Sequence, residues 1–296
     1  MAIEQLGRSL LKKQQRDKDK AARGELLGKA IGYGFNQAQR KIDEKTATLL
    51  NTEPMRILLI GDSCTDVYVY GEVKRLNPEA PVPILEPHRE SSTNGMAWNV
   101  YNNLLAFDTE VYLLTNQEKI TKTRYIDEKS NQQILRIDVE EEVKQLDYEM
   151  KEEPYDALVI SDYDKGFITQ EKLFELVDWF DGPVFVDSKK KVLPDGCYIK
   201  VNDIEYETLE NKSNKVIITR GGKGTEYKGK LYPAEKVNVF DVVGAGDTFL
   251  AALTYGYLKY GGIEEAIPFA NKAAAIAVSH TGTYVLTKED VNEILL

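Results

Sequence analysis

A chain of 296 residues, 42% of them hydrophobic, can fill one large domain or two modest ones and is not wholly disordered. Its 38 basic against 48 acidic side chains leave a net charge of −10, which argues against nucleic acid as a partner, and no apolar run reaches the ~18 residues that span a bilayer. Cys64 and Cys197 are too few for a disulfide framework or a tetrahedral zinc site, and without an apolar leader segment the chain reads as cytoplasmic.

Residues 1–53 come first in chain order, with 11 basic against 7 acidic side chains. They are rich in helix formers and poor in branched or aromatic residues. They read either as a basic arm that docks on a partner or, as chain ends usually behave, as a helical or flexible solvated extension. Pro54 punctuates the boundary, and 54–296 is expected to fold as one domain. Five short, β-branched apolar runs follow, at 57–60, 111–114, 157–160, 184–186 and 216–218. Helical patterns lie at 98–107, 170–180, 245–260 and 263–280. Continuous apolar strands suit a parallel sheet covered on both faces, so the alternation predicts a doubly wound α/β fold. Segments 67–73 and 82–85 alternate apolar and polar residues and carry Tyr and Pro, as edge or lid strands do. The acidic stretch 138–153 is expected to be a solvated helix face or loop.

Ligands of open α/β sheets bind outside the carboxyl ends of the strands, and polar residues collect there. The first run ends in Gly61-Asp62, with Asp66 beyond; the third ends in Ser161-Asp162, before Lys165-Gly166. The fourth ends in Asp187, followed by Lys189, Lys190 and Lys191. Asn202-Asp203-Ile204-Glu205 follows a short apolar segment at 197–201, and Thr219-Arg220-Gly221-Gly222-Lys223-Gly224 follows the fifth run. Each alone is ordinary turn and cap chemistry. Together they describe one polar crevice.

The sharpest signal is Asp241-Val242-Val243-Gly244-Ala245-Gly246-Asp247-Thr248-Phe249. A strand-like segment, 236–240, is expected to run into glycines and then into a long apolar helix. Such a start turns tightly and presents N–H groups and a helix dipole to an anion. A carboxylate at that place, Asp247, is electrostatically odd beside a phosphate unless it takes a proton from the attacking hydroxyl. The bland alternative is an Asp that caps a helix. The loop is neither a Walker loop nor a Rossmann fingerprint.

Segment 241–249 resembles the C-terminal signature of the ribokinase-like (PfkB) carbohydrate kinases. Asn202 to Glu205 resembles that family's Asn-x-x-Glu motif, and 219–224 its nucleotide-side loop. Gly61-Asp62 with Asp66, RLNPEAPVPIL at 75–85, TKTRYI at 121–126, NQQILRIDVE at 131–140, SDYDKG at 161–166 and FANKAAAIAVSHTGTYVLT at 269–287 narrow the likeness to the heptose-phosphate kinases of the family. It covers about residues 55–296. The resemblance implies a ribokinase-like three-layer α/β/α fold with a mostly parallel sheet and a small β-lid. It also implies ATP and Mg2+ as cofactors and phosphoryl transfer to a sugar or sugar phosphate, heptose 7-phosphate first.

Carried over residue by residue, the resemblance makes Asp247 the catalytic base. Gly244, Ala245 and Gly246 offer N–H groups to the transferred phosphoryl group. Asn202 and Glu205 organise magnesium and phosphates, Glu205 through water. Thr219, Arg220 and Gly222 border the nucleotide, with Asn271 near its base. Asp66, Gly95 and Asn99 hold sugar hydroxyls, and Lys122, Arg124, Arg136 and Lys165 are candidates for a sugar phosphate. Lys189 is a further cation near the crevice.

Two departures stand out. The family's Gly-Gly pair before the sugar-binding Asn reads Asn94-Gly95 here, followed by the bulky Met96 and Trp98, and Trp98 reads as core filling before sugar stacking. Only 115–120 separate the second strand from the lid-like TKTRYI, too few for a parallel crossover, so a βα unit is expected to be missing on the sugar side. Such losses also leave open a non-catalytic sugar- or nucleotide-binding protein that keeps the fold. Cys64 reads as a buried thiol, and His88 and His280 lack a metal or triad pattern. The 17 tyrosines suit lid packing or subunit contacts, and a homodimer through the β-lid is open to the chain.

Overall fold

The computed structural model describes residues 53–148, 154–213 and 215–296; the expected extension at 1–53 lies, but for Glu53, outside them. From Arg56 onward strands and helices alternate. β1 (Arg56–Gly61), β4 (Glu110–Thr115), β7 (Ala157–Asp162), β8 (Val184–Ser188), β9 (Tyr198–Asn202) and β10 (Val216–Thr219) pair in parallel, and a short antiparallel pair, β11 (Thr225–Tyr227) and β12 (Lys230–Tyr232), extends one edge. The order across this eight-stranded sheet is β12-β11-β10-β9-β8-β7-β1-β4.

Alternate side chains of each strand feed two cores, because successive Cβ atoms point to opposite faces. Ile57, Leu59 and Val159 pack under α1 (Ala97–Ala106), α4 (Ala245–Tyr260), α5 (Ile263–Val278) and α6 (Lys288–Leu295). Leu58, Ile60 and Ile160 face α2 (Gln170–Trp179), which contributes Leu173, Leu176 and Val177 at helical spacing. Thr169 caps α2 by accepting from the Lys172 amide at 3.1 Å. The result is three layers, helices on both faces of a mostly parallel sheet. Among the described residues no helix is long and apolar enough to cross a membrane.

The lid is larger than its alternating segments predict. β2 (Ser63–Leu76) and β3 (Pro83–Met96) are 14 residues each, and β5 (Ile120–Asp127) and β6 (Gln132–Glu140) complete a second sheet, in the order β3-β2-β5-β6. β3 is exposed along most of its length, so no buried face prints a period of two into its sequence. Of the acidic stretch, 138–140 end β6 and 141–148 are irregular and mostly exposed. β4 is the sheet edge, and residues 116–119 carry the chain directly into the lid.

The strand-like segment 236–240 is not a strand. β12 is already the edge, no strand pairs with 236–240, and Phe240 instead donates its amide to the Val278 carbonyl at 2.8 Å. The helix expected over 263–280 ends at Val278.

Candidate active site

The glycine loop sets the geometry of the crevice. Gly244 caps α4 in the left-handed region (φ 77°), and a Cβ there would lie 2.7 Å from Asn99 Nδ2, so this position demands glycine twice over. Among the described residues the amides of Gly244, Gly246 and Asp247 have no hydrogen-bond partner, whereas the Ala245 amide is turned back to the Val242 carbonyl at 3.3 Å. The expected trio of donors therefore loses Ala245 and gains Asp247's own amide.

Asp247 sits in the first turn of α4, 3% exposed. Asn99 donates to its Oδ2 at 3.1 Å and the Tyr163 hydroxyl to its Oδ1 at 2.7 Å. Burial raises the carboxyl pKa and the nearby Asp187 adds to it, against the Tyr163 and Asn99 hydrogen bonds and the Lys200 charge, leaving it pushed up to about 6. That range suits a general base near neutrality. Beneath the loop, Lys200 Nζ donates to Asp187 Oδ2 at 2.6 Å, and a Cβ on Gly246 would stand 2.8 Å from the same ammonium. Burial pulls the Lys200 pKa down, but Asp187 outweighs it and the ammonium stays charged. Asp187 Oδ1 is buried with no partner among the described residues. A glycine cradle over an ammonium, with open amides at a helix start, fits the anionic end of a nucleotide.

Asn202 and Glu205 form a capping box at the start of α3 (Asp203–Thr208): the Glu205 amide donates to Asn202 Oδ1 and the Asn202 amide to Glu205 Oε2, both at 2.9 Å. Glu205 also pairs with Lys189. The oxygen set at the end of β9 has the hard-donor chemistry that magnesium takes through water. Thr219 Oγ1 donates to the Val201 carbonyl at 3.2 Å, Arg220 is held by Glu226 and Asp203, and Gly222 stands open to solvent. Two clefts of about 540 and 470 Å³ share Val237 and Ser279 along α5. Asn271 does not line them. It is buried and clamps the chain after β12, accepting from Thr225 Oγ1 at 2.6 Å and donating to the Tyr232 carbonyl at 3.0 Å.

On the lid side the expected phosphate cations are mostly spoken for. Arg124 donates to Asp66 Oδ1 at 2.5 Å in a buried pair, so two expected sugar ligands are turned on each other. Arg136 is exposed and grips Asp138 through two bonds, and Lys165 pairs with Glu140 at 2.5 Å. Lys122 alone of these four has no carboxylate partner among the described residues; it lies 5.3 Å from the Tyr163 ring centroid. Gly95 is required by crowding, since a Cβ would come within 2.1 Å of Asp66 Oδ2. Asn99 is fully buried and, besides Asp247, donates to the Gly244 carbonyl at 3.3 Å. Cys64 is buried, and burial with Asp66 nearby pushes its thiol up to about 12, so it is inert. Trp98 is only half-buried: it walls a cavity of about 210 Å³ with Cys64, Asn94, Asn116 and Ile120.

Lys200 and Tyr163 are the site residues that sequence reasoning missed. A lone charge inside an apolar parallel strand was the available signal for Lys200. Tyr163 lies in the SDYDKG motif, but only the tertiary structure brings it to Asp247.

The sequence and the fold are similar to those of known proteins. The pfkB family carbohydrate kinase model matches residues 202–290. The chain is 32% identical to Bifunctional protein HldE of a Nitratiruptor species, over 80% of this chain and 64% of that protein. It is likewise 32% identical to Bifunctional protein HldE of Helicobacter pylori (strain Shi470), over 81% of this chain and 66% of that protein. The chain thus spans just under two thirds of the length of these relatives. In structure it is similar to Arabidopsis thaliana ribokinase complexed with ribose and ATP, with a TM-score of 0.61 at 15% identity, covering 82% of this chain and 99% of that one. The three layers are those of the ribokinase-like fold, and within them residues 202–290 carry the match to the pfkB family of carbohydrate kinases.

Proposed function

We propose that the protein transfers the γ-phosphoryl group of ATP to a hydroxyl of a phosphorylated sugar, heptose 7-phosphate first. The observation that carries the reading is a carboxylate poised near neutrality inside a cradle of open amides over a buried ammonium. Asp247 takes the proton of the acceptor hydroxyl. The acceptor oxygen then bonds to the γ-phosphorus, and the bond from that phosphorus to the β–γ bridging oxygen breaks with its electron pair on ADP. The amides of Gly244, Gly246 and Asp247, with Lys200 behind them, face the charge that develops on the transferred group. Asn202 and Glu205 would hold magnesium through water, and when bound it would neutralise phosphate charge. The apolar walls of the clefts along α5 would take the nucleotide base.

The heptose reading rests on the lid-side segments 75–85, 121–126 and 131–140, which resemble the heptose-phosphate kinases. The test is titration calorimetry with ATP, followed by coupled ADP release on heptose 7-phosphate, fructose 6-phosphate, ribose and adenosine. Preference for an unphosphorylated sugar would refute the narrow reading and leave the kinase standing. Binding without turnover would favour a non-catalytic binding protein, for which the short link at 116–119 speaks.

A further inference from the structure

The base is covered. Both Asp247 oxygens already accept a hydrogen bond, from Asn99 at 3.1 Å and from Tyr163 at 2.7 Å, and only 3% of the residue meets solvent. An acceptor hydroxyl must come within about 2.6–3.2 Å of that carboxylate to give up its proton. Each carboxylate oxygen has a further lone pair to offer, but at this burial a covering side chain has to move before a hydroxyl can reach it.

Asn99 is the fixed one. It is fully buried within α1, its carbonyl accepts from Asn103 Nδ2 at 3.0 Å, and its amide also reaches the Gly244 carbonyl. Tyr163 is the one with a way out. It stands on the irregular stretch between β7 and α2 and is half-buried. Its backbone is pinned, the amide donating to Asp62 Oδ2 at 2.7 Å, so the ring rather than the loop is what can swing. The ring rests on Cys64, Met96 and Ile120 and lies 5.3 Å from Lys122 Nζ and 5.2 Å from Lys189 Nζ. Lys189 is engaged by Glu205, but Lys122 has no carboxylate partner among the described residues. A cation over a ring is held far less tightly than one that meets a phosphate, so an anionic acceptor arriving under the lid draws Lys122 away from Tyr163.

We propose that Tyr163 is a resident plug: its hydroxyl holds the acceptor's place on Asp247 and leaves when a phosphorylated acceptor arrives. The inference rests on Asp247 being the base. With the plug in place, water is kept from the position where its proton would pass to Asp247 and its oxygen would bond to the γ-phosphorus as ADP departs. Tyr163 is thus a positioning residue that suppresses futile hydrolysis of ATP.

The test uses the full chain with Tyr163→Phe, which removes the hydroxyl and keeps the ring, and Tyr163→Ala, which removes both. Each is first matched to the parent by its urea midpoint. With MgATP and no acceptor, ADP release should rise about threefold in Y163F and tenfold or more in Y163A. With heptose 7-phosphate, Y163F should lower KM about threefold while kcat stays within about twofold. Unchanged acceptor-free hydrolysis in both variants overturns the proposal. So does a collapse of kcat at constant KM in Y163F, which would place the hydroxyl in the chemistry itself. If the parent transfers phosphoryl groups and Asp247→Asn does not, the kinase reading survives either result. A parent that binds ATP and turns over no acceptor takes both readings down together.

Discussion

The carboxyl ends of β8 and β9 and the start of α4 hold, among the described residues, three amides without partners and a buried carboxylate oxygen without a donor, beside the buried Lys200–Asp187 pair. The lid is built the other way. Of the four cations considered for a sugar phosphate, Arg124 is closed on Asp66, Arg136 on Asp138 and Lys165 on Glu140, and Lys122 has no carboxylate partner among the described residues. Backbone donors and a carboxylate oxygen are left open there at a desolvation cost, whereas most of the candidate cations on the lid side are closed on carboxylates. On the proposed function, the nucleotide side is pre-organised and the acceptor side depends on few residues.

The comparison breaks first at the base. Asp247→Asn should lower kcat by about 10²–10⁴ while calorimetry shows ATP binding nearly unchanged, since general-base catalysis has that range. Unchanged turnover would remove Asp247 from the role. Next comes the buried pair. Lys200→Met strands a carboxylate that is 4% exposed, which should cost about 3–5 kcal/mol in urea unfolding, whereas K200M together with Asp187→Leu should recover much of that loss without restoring activity. If K200M alone were neutral, the pair would have no part in organising the nucleotide side.

The pH dependence sharpens the same contrast. With Asp247 held at about 6, kcat/KM should fall tenfold per unit below that pH. Asp62 is also pushed up to about 6, by burial and by Asp162 against three backbone amides. A raised carboxylate binds more protons folded than unfolded between about pH 4 and 6, so its contribution to stability is lost as pH rises through 6. Asp62→Asn should therefore flatten the fall in melting temperature between about pH 4 and 6. The smallest effect belongs to the lid. Arg136→Ala should change stability by less than about 0.5 kcal/mol, because exposed pairs contribute little, and should leave the acceptor KM within twofold.

Much of the body was legible because apolar runs buried on both faces have only one home, the centre of a parallel sheet. The turn into α4 was legible because Gly-x-Gly before a long apolar run marks a tight turn into a helix. The lid was underestimated because β3, with its EPHRESSTNG run, is exposed and writes no alternation. Segment 236–240 misled in the opposite sense, alternating like a strand although no strand pairs with it and Phe240 bonds to Val278 instead. Tyr163 and Lys200 escaped because their roles depend on neighbours across the crevice, 84 residues away for Tyr163 and Asp247.

The lid has almost no hinge. Asp62 alone separates β1 from β2, and β3 passes at Met96 straight into α1. The two junctions are tied together, the Ala97 amide donating to the Asp62 carbonyl at 2.9 Å, and Met96 holds a left-handed φ of 58°. Mechanically this is a lever on a very short axle. Torque applied to the lid by a bound sugar is delivered within one helical turn to Asn99, and through its amide to the Asp247 carboxylate. On the proposed function, the sheet over the acceptor and the residue bonded to the base would move as one stiff part, so an ill-fitting sugar would be penalised in turnover as well as in binding.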